Sequence, residues 1–435
     1  MPRITTDWTA QVSEDLAAKR PLHWVNILFL TMTPIIAVVA STWYAMEYGI
    51  TWREILASVC LWFLTGLGIT AGYHRLFSHR GYKAHPATRF VLSVLGAGAW
   101  QNSAIAWCSD HRFHHAETDT PADPYDATRG FFYSHMGWIF YKGLQGDTYD
   151  NVKDLRRDPI LAWQHRYWLP LAVGVNLLLI ALAALLLGRW LGMFIIAGLL
   201  RAVVVQHFTF CINSLAHLWG SQPYSRSNTS RDNWALSLVT LGEGYHNYHH
   251  SFEWDYRNGP RWFNWDPTKW LIWSLSRLGL ASSLRRVPLD VVLQTRFDQG
   301  RTGFMNRLST WSEARAEEWR TLRAEKREQL RSRRDDFIEG IRRGQVALHD
   351  QLLAAETTLE LELQELKALR QALADALRRL AVETCAELRR DLAHELKLLR
   401  RALRDAQRAA RSSLKTWELL LLEYGRGLRI AAAPA

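Results

Sequence analysis

Hydrophobic and polar residues are distributed unevenly along the 435-residue chain. Four long apolar stretches, at residues 25–46, 52–72, 168–187 and 191–212, lie in its first half. A helix of about 20 residues is long enough to cross the hydrocarbon layer of a bilayer. We therefore predict an all-α membrane protein in which four transmembrane helices form two hairpins.

The alternative interpretation is a soluble bundle in which the same four helices are buried. The length and hydropathy of the stretches favour the membrane, as do tryptophans at their edges. These are Trp24, Trp43, Trp52, Trp168 and Trp190. Residues 1–20 are polar, carry three acids and have no short apolar core. We therefore expect the first stretch to be a membrane span and not a cleaved signal peptide.

The positions of lysine and arginine predict the orientation in the membrane. The connections at 47–51 and 188–190 are short, whereas the N-terminus, residues 73–166 and the chain after 213 hold most of the basic residues. Basic segments stay on the cytoplasmic side. We therefore predict that both termini are cytoplasmic, including a cytosolic N-terminal segment at residues 1–24.

Net charge and cysteine content narrow the functional classes further. The formal net charge is +11, but the basic residues are interleaved with acids or lie beside the apolar stretches. We interpret them as solvated helix faces and headgroup contacts and expect no nucleic acid partner. Cys60, Cys108, Cys211 and Cys385 lack the spacing of a disulfide framework or a thiolate metal site, which is consistent with a reducing compartment.

The composition changes after residue 303 to alternating Arg, Glu, Leu and Ala. Leucines recur every seven residues and then resume in a shifted register, at Leu352, Leu359, Leu366, Leu373 and Leu380 and then Leu392, Leu396, Leu399 and Leu403. Heptads with charged flanks indicate a coiled coil. We predict a helical extension at 304–425, either one long helix or a hairpin hinged near Gly340 and Gly344, followed by a disordered tail at 426–435.

Histidines cluster at the predicted span ends. The clusters are His74 and His79 in HRLFSH, His111, His114 and His115 in HRFHH, and His246, His249 and His250 in HNYHH. His217, just past the fourth stretch, makes nine of the chain's 16 histidines. All nine lie on the predicted cytoplasmic side, and HRFHH falls in a connection that we expect to be a loop.

This number of imidazoles predicts two metal ions. A catalytic zinc ion uses about three protein ligands and a structural one about four, so nine clustered histidines exceed the needs of one ion. Nitrogen ligands suit iron, copper, nickel or zinc and do not name the metal. Each H-x-x-H-H cluster presents one helix face, whereas the i, i+5 spacing of His74 and His79 does not share an α-helical face, so we expect the helix end to turn there.

The remaining histidines lack such spacing, and we interpret them as interfacial or packing residues. They are His23, His85, His135, His165 and His207, with His349 and His394 on the charged extension.

From about residue 22 to 293 the chain resembles the integral-membrane stearoyl-CoA (Δ9) desaturase family. The motifs that carry the resemblance are TAGYHRLFSH, DHRFHH, RGFFYSHMGW, NSLAH and GEGYHNYHHSF. The resemblance implies a desaturase domain at 25–303 with four transmembrane helices, a cytosolic helical cap and a diiron centre that uses O₂. Residues 304–425 resemble no part of that family.

The resemblance also implies which residues hold each iron. One ion would be held by His74, His79, His111, His115 and His249. The other would be held by His114, His217, His246 and His250, with Asn213 beside it through a water molecule. Five acids are candidates to orient the ligand rings: Asp110, Asp119, Asp123, Asp126 and Glu243.

An acyl chain needs a buried apolar tunnel. Gly66, Gly68 and Gly72 would let such a chain pass close to the second helix, although packing between helices explains them equally well.

The coenzyme A contacts that the resemblance implies are only partly retained. Asn26, Asn102, Asp110 and Lys142 match expected substrate-binding positions, with Lys142 in place of an arginine. Ser109 replaces an arginine, Gly143 a lysine and Phe210 a tryptophan. Losing two cations weakens phosphate recognition. The acyl carrier is therefore expected to be coenzyme A, a lipid or an acyl-carrier protein.

The expected function is O₂-dependent introduction of a cis double bond, at Δ9, into a saturated acyl chain. The haem-binding H-P-G-G of a fused cytochrome b5 is missing, so electrons are expected from a separate ferredoxin, rubredoxin, or cytochrome b5 with its reductase. A diiron fatty acid or alkane hydroxylase is the enzymatic alternative. A histidine-rich membrane metal carrier is disfavoured because the spans contain almost no charged residues.

The helical extension at 304–425 would serve self-association or partner docking, or would lie on the membrane as an amphipathic helix.

Overall fold

The computed structural model describes residues 21–143, 148–321 and 324–432, without the side chains of 307–346, 386 and 427–432. The chain divides into two units, Met1–Arg286 and Val287–Ala435. The predicted boundary between 303 and 304 lies 17 residues further along. Most of the predicted N-terminal segment falls outside the described residues.

Helices make up most of the regular secondary structure in the described part of the first unit. In chain order its helices are α1 (Trp24–Tyr48), α2 (Trp52–Ser78), α3 (Pro86–Ala97), α4 (Ala104–Glu117), α5 (Phe131–His135), α6 (Lys153–Arg156), α7 (Pro159–Arg166), α8 (Trp168–Leu187), α9 (Trp190–Leu218), α10 (Trp234–Val239), α11 (His246–Ser251) and α12 (Pro267–Arg277). Short 3₁₀ turns occupy Ala127–Arg129, Gly137–Phe140 and Asp150–Val152. Strands β1 (Lys83–Ala84) and β2 (Ala281–Ser282) pair antiparallel.

The four predicted membrane spans are confirmed as α1, α2, α8 and α9. In α1 and α8 only 17% and 22% of the most apolar window is buried, against 50% in both α2 and α9. Side chains such as Leu178 and Leu186 are exposed, as expected of a surface that faces lipid. The inner pair, α2 and α9, carries site histidines at its ends.

The short turns of both hairpins follow from local sequence. Gly49 and Gly188 end α1 and α8 with positive φ angles of 66° and 76°, which glycine adopts without strain. Thr51 caps α2, and Glu54 completes a capping box with it. Glu54 is buried and is paired with Arg189, so the two turns are linked by one ion pair.

Glycines in α2 allow close helix packing. A Cβ on Gly68 would lie 2.3 Å from the backbone nitrogen of Gly96, and one on Gly72 would lie 3.0 Å from Leu92 Cβ. These two positions therefore serve the contact with α3. Gly66 lies two residues before Gly68, faces Leu241 and lines a large cavity.

The described part of the second unit contains three long helices, α13 (Leu289–Thr321), α14 (Ala324–Val382) and α15 (Ala386–Ala432). They share a core of leucine, alanine and aromatic residues, formed by Leu293, Phe297, Leu352, Leu359, Leu363, Leu366, Ala406, Ala410, Leu414 and Trp417. Leu352, Leu359 and Leu366 are buried, as the heptads predicted, whereas Leu373 and Leu380 are only partly buried.

The turn between α14 and α15 is not at the predicted position. α14 continues through Gly340 and Gly344, and the helices are separated at residues 383–385, where Glu383 accepts a hydrogen bond from the Cys385 backbone. A glycine inside a helix costs only about 1 kcal/mol, which packing along a long helix offsets. Residues 426–432, which we expected to be disordered, continue α15.

Candidate metal centre

Four helices bring the nine clustered histidines together. They lie at the end of α2, on α4, near the end of α9 and on α11. The HRFHH motif, expected in a loop, is helical because it belongs to α4, which Ser103 caps by accepting a hydrogen bond from Ala106 N. Eight of the nine positions are thereby carried on helices, and His79 directly follows α2.

The end of α2 explains the spacing of His74 and His79. From Gly68 to Ser78 the helix is of the wider π type, and His79 N–H donates to the His74 carbonyl at 3.1 Å. An i→i−5 hydrogen bond stacks residues five apart, which an α-helix does not do. The two rings lie 4.9 Å apart between centroids. The spacing therefore reflects a π-helical segment.

The ligand atoms fall into two groups. His74, His79, His111, His115 and His249 form one group, and His114, His217, His246 and His250 form the other. In each group the candidate ligand atoms lie within 4.8 Å of one another. This is the same division that the family resemblance implied.

Within both groups the rings face each other through Nε2. The Nε2–Nε2 distance is 3.0 Å from His74 to His249 and 2.9 Å from His249 to His115. It is 3.1 Å from His246 to both His217 and His250. Two ligands bound about 2.1 Å from one ion at a right angle lie roughly 3.0 Å apart, so the spacing fits nitrogens that share a metal.

The other ring nitrogen explains why Nε2 is free to bind. His114 Nδ1 lies 2.8 Å from Asp123, His74 Nδ1 lies 2.8 Å from Glu243, and His217 Nδ1 lies 2.8 Å from the Thr229 hydroxyl. A neutral imidazole whose Nδ1 carries the proton has a bare lone pair on Nε2. Bare lone pairs at hydrogen-bond distance repel one another unless a cation lies between them. The donor set therefore fits two metal ions.

Burial keeps several of these rings in the form that binds metal. Burial, followed by the charge of neighbouring imidazoles, holds the pKa of His111, His246, His249 and His250 well below the usual range. Burial lowers the pKa of His115 to about 4. Neutral imidazole is the ligating form, so no proton has to leave at pH 7.

Three of the five predicted acids orient ligand rings. Asp123 and Glu243 do so directly, and Asp119 acts through Thr229, whose hydroxyl donates to Asp119 at 2.7 Å. Asp126 instead caps the turn at Thr128. Asp110 lines the cavity described below.

Two further residues that orient ligand rings, Glu253 and Thr229, were not predicted from the sequence. Glu253 Oε2 lies 3.3 Å from His115 Nδ1. It follows HNYHH by three residues, which is a usable signal. Nothing in the sequence around Thr229 indicates this role.

Arg75 supports one of the orienting acids. It is 1% exposed and forms ion pairs with Glu243 at 2.9 Å and Asp266 at 3.0 Å, and so fixes Glu243 against His74.

A cavity of about 1210 Å³ reaches the two groups. His74, His111, His114 and His246 lie in its wall. Much of the rest of the lining is aromatic and aliphatic: Phe29, Leu30, Trp62, Ile69, Trp100, Trp107, Val205, Phe208, Ile212, Val239 and Leu241. Among these, Trp107 Nε1 donates to Gln101, and Gln101 Nε2 donates to the Thr209 hydroxyl at 2.8 Å.

All four predicted substrate-binding residues line this cavity, namely Asn26, Asn102, Asp110 and Lys142, as does Asn213, four residues before His217. Gly143 and Phe210 also line it. Ser109 does not belong to this wall, since it is 4% exposed and its hydroxyl donates to Asn151 at 2.7 Å. An arginine there would have to displace Asn151.

The other histidines occupy different surroundings. His23 and His165 line the cavity, and His165 Nδ1 lies 2.6 Å from the Ser103 hydroxyl. His135 Nε2 lies 3.0 Å from His207 Nδ1, and its Nδ1 lies 3.0 Å from the Ser214 hydroxyl. His85 is exposed and caps α3.

Comparisons with known proteins agree with this geometry. The profile of the family described as fatty acid desaturase matches residues 51–265. The chain is 42% identical over 271 residues to a probable acyl-CoA desaturase from Schizosaccharomyces pombe, covering 62% of this chain and 56% of that protein. It therefore spans little more than half of that relative.

Two further relatives are covered more fully. Stearoyl-CoA desaturase 5 from Bos taurus is 32% identical over 285 residues, which are 63% of this chain and 83% of the relative. The sn-2 palmitoyl-lipid 9-desaturase from Nostoc is 36% identical over 274 residues, which are 61% of this chain and 92% of the relative. These relatives, together with the two histidine groups, show that the chain belongs to the fatty acid desaturase family.

Proposed function

We propose that the protein is an O₂-dependent fatty acyl desaturase that introduces a cis double bond, at Δ9, into a saturated acyl chain. The observation that carries the proposal is the position of two histidine groups in the wall of one large, largely apolar cavity. The cavity is larger than the ~300–1,000 Å³ typical of small-molecule sites, which suits a long flexible chain.

The proposed cofactor is a pair of iron ions with O₂ as co-substrate. His74, His79, His111, His115 and His249 would hold one ion, and His114, His217, His246 and His250 the other, with Asn213 acting through water. When bound, such a pair supplies an oxidant strong enough to remove hydrogen from unactivated methylenes. Imidazole nitrogen is a ligand that suits non-haem iron.

The chain's own residues would position the substrate and keep the site dry. The aromatic wall excludes water from the acyl chain, and Asp123 and Glu243 hold His114 and His74 in their orientations. The bonded chain from Trp107 through Gln101 to Thr209 fixes one part of the wall, which would set the path of the acyl chain past the histidines.

The residues at the mouth of the cavity are the proposed binding site of the acyl carrier. Asn26, Asn102, Asp110 and Lys142 are the candidate contacts, and Lys142 is exposed there. Relatives are named for coenzyme A esters and for a lipid ester, so both carriers remain in the proposal, together with an acyl-carrier protein. Arg156 and Arg166 line the cavity together with Lys142, so its wall supplies cations for an anionic carrier despite the two lost positions.

We propose that the active site and both termini are cytoplasmic. A separate ferredoxin, rubredoxin or cytochrome b5 with its reductase would deliver the electrons. The second unit, whose core supports the predicted helical packing, would serve self-association or partner docking.

Expression in a host that lacks its own desaturase, followed by double-bond mapping of total fatty acids, tests the function. A product two mass units lighter than its saturated parent, with the double bond at carbon 9, supports the proposal. A product heavier by one oxygen atom would instead identify the related diiron hydroxylase.

A further inference from the structure

The last helix of the second unit carries a continuous row of cations on its outer face. We call this row the basic stripe, and it consists of Lys397, Arg401, Arg404, Arg408, Arg411 and Lys415. The residues are spaced alternately four and three apart, which places them on one face of α15. All six are exposed. With a rise of about 1.5 Å per residue, the stripe is about 27 Å long.

The stripe lies on the side of α15 that is not used for packing. The buried residues of this helix are Leu392, Leu396, Ala406, Ala410, Leu414 and Trp417, which follow the complementary positions of the heptad. The six stripe residues occupy the b and f positions of the heptad, which point away from the packed positions. The core of the unit therefore already fixes which way the cations point.

The stripe is poorly neutralised within its own unit. Residues 389–415 contain nine Lys and Arg and three Asp and Glu. Among the described side chains, the stripe has one ion pair, Arg408 with Asp405 at 3.6 Å, and both side chains are mostly exposed. Such an exposed pair is screened by solvent and neutralises the stripe little. The opposite charge is concentrated elsewhere, since residues 350–365 of α14 carry five acids and no lysine or arginine.

We propose that the basic stripe docks α15 onto an anionic lipid surface. Four to eight clustered cations on a helix recognise anionic headgroups, each contributing about 1 kcal/mol. The first unit spans the membrane, and α13 begins three residues after that unit ends. The chain connection therefore keeps the second unit at a high local concentration near lipid, which favours a bilayer over a free polyanion.

The proposal predicts dependence on lipid charge in the full-length protein. A fluorophore is placed at Ser412→Cys, an exposed position beside the stripe, after the exposed Cys60 and Cys385 are replaced by serine. Nanodiscs that hold one copy each contain a headgroup-linked acceptor and either phosphatidylcholine alone or added phosphatidylserine. Energy transfer should rise with phosphatidylserine and fall at about 1 M salt, where the Debye length is about 3 Å.

The decisive variant removes three cations from the stripe, Arg404→Gln, Arg408→Gln and Arg411→Gln. At about 1 kcal/mol per cation, the docked-to-undocked ratio in anionic discs should fall about fivefold for each, or about 100-fold in all. The matched control removes three exposed cations from α14, Lys367→Gln, Arg378→Gln and Arg379→Gln, and should change the ratio little.

Three results would overturn the assignment. The first is energy transfer that is insensitive to lipid charge. The second is a stripe variant that behaves like the α14 control. The third is a signal that requires two copies per disc, or that RNA abolishes while lipid composition leaves it unchanged, since the stripe would then recognise a second copy or a nucleic acid.

Discussion

The carboxylate of Asp123 lies 2.8 Å from Nδ1 of His114, on the far side of the ring from the Nε2 that faces His250 at 3.3 Å. Burial would raise the pKa of Asp123, but His114 and two backbone N–H groups outweigh it and lower that pKa. The carboxylate is therefore charged at neutral pH. Asp123 thereby orients the His114 ring so that the lone pair on Nε2 points into the second histidine group.

The first prediction concerns this contact. Asp123→Asn should lower desaturation and iron content about 10- to 100-fold, because the ring loses the partner that fixes its tautomer and orientation. Double-bond yield and iron per chain are the measurements. Asp126→Asn is the matched control, since Asp126 is also buried but its carboxylate bonds Thr128 and not a histidine ring. Equal effects of the two variants would contradict a role for Asp123 in orienting the ligand.

The second prediction concerns the ligands themselves. His114→Ala, His217→Ala and His250→Ala should each abolish desaturation and release iron while the protein stays in the membrane, because ligands of one centre act as a unit. Product analysis and metal content test this. His85→Ala, which alters an exposed cap of α3, should retain activity. Near-normal activity in two of the three ligand variants would refute the site.

The third prediction concerns the acyl carrier. Gly143 lines the cavity mouth and is exposed. A Cβ at this position would have no described atom within 4 Å, so a side chain fits there. Gly143→Lys should therefore lower the KM for stearoyl-CoA about two- to fivefold, the range of an exposed charge pair of up to about 1 kcal/mol. Lys142→Gln should raise it.

The control for the carrier prediction is Ala87→Lys, which adds a cation at an exposed position away from the cavity. Identical KM values for Gly143→Lys and this control would argue against phosphate binding at the cavity mouth. Ser109→Arg is not a suitable partner variant, because position 109 is buried against Asn151.

The fourth prediction concerns pH. Burial, with a smaller effect of His207, lowers the pKa of His135 to about 4 from a usual 6.5. The unfolded chain then binds more protons than the folded one between these values, so stability is lost as pH falls from about 6.5 towards 4. In the iron-loaded protein the thermal midpoint should fall over this window, and less steeply in His135→Gln. Parallel pH curves for the two proteins would contradict the assignment.

The fifth prediction concerns the second unit. Truncation after residue 286 should preserve desaturation when electrons are supplied artificially, because every candidate ligand precedes it. Truncation after residue 303 should instead give an aggregating protein, since Leu293 and Phe297 would lose the partners that bury them, including Trp417. Size-exclusion profiles and activity distinguish the two. Loss of activity in a folded protein ending at 286 would place the second unit in the catalytic machinery.

The sequence by itself determined the features that depend on local composition. Apolar runs of span length predicted α1, α2, α8 and α9, because a backbone in hydrocarbon must satisfy its own hydrogen bonds. The histidine motifs predicted a two-metal site, because few other functions require so many imidazoles. Heptad leucines predicted helices that pack through Leu352, Leu359 and Leu366.

Only the tertiary structure decided how those features meet. His74 and His249 lie 175 residues apart in sequence and 3.0 Å apart at Nε2, a contact that depends on the packing of α2 against distant elements. The π-helical end of α2, the choice of Glu253 and Thr229 as ring partners, and the burial of Ser109 likewise depend on contacts between distant elements. Such contacts leave no periodic pattern in the chain, because each is fixed by a neighbour far away in sequence.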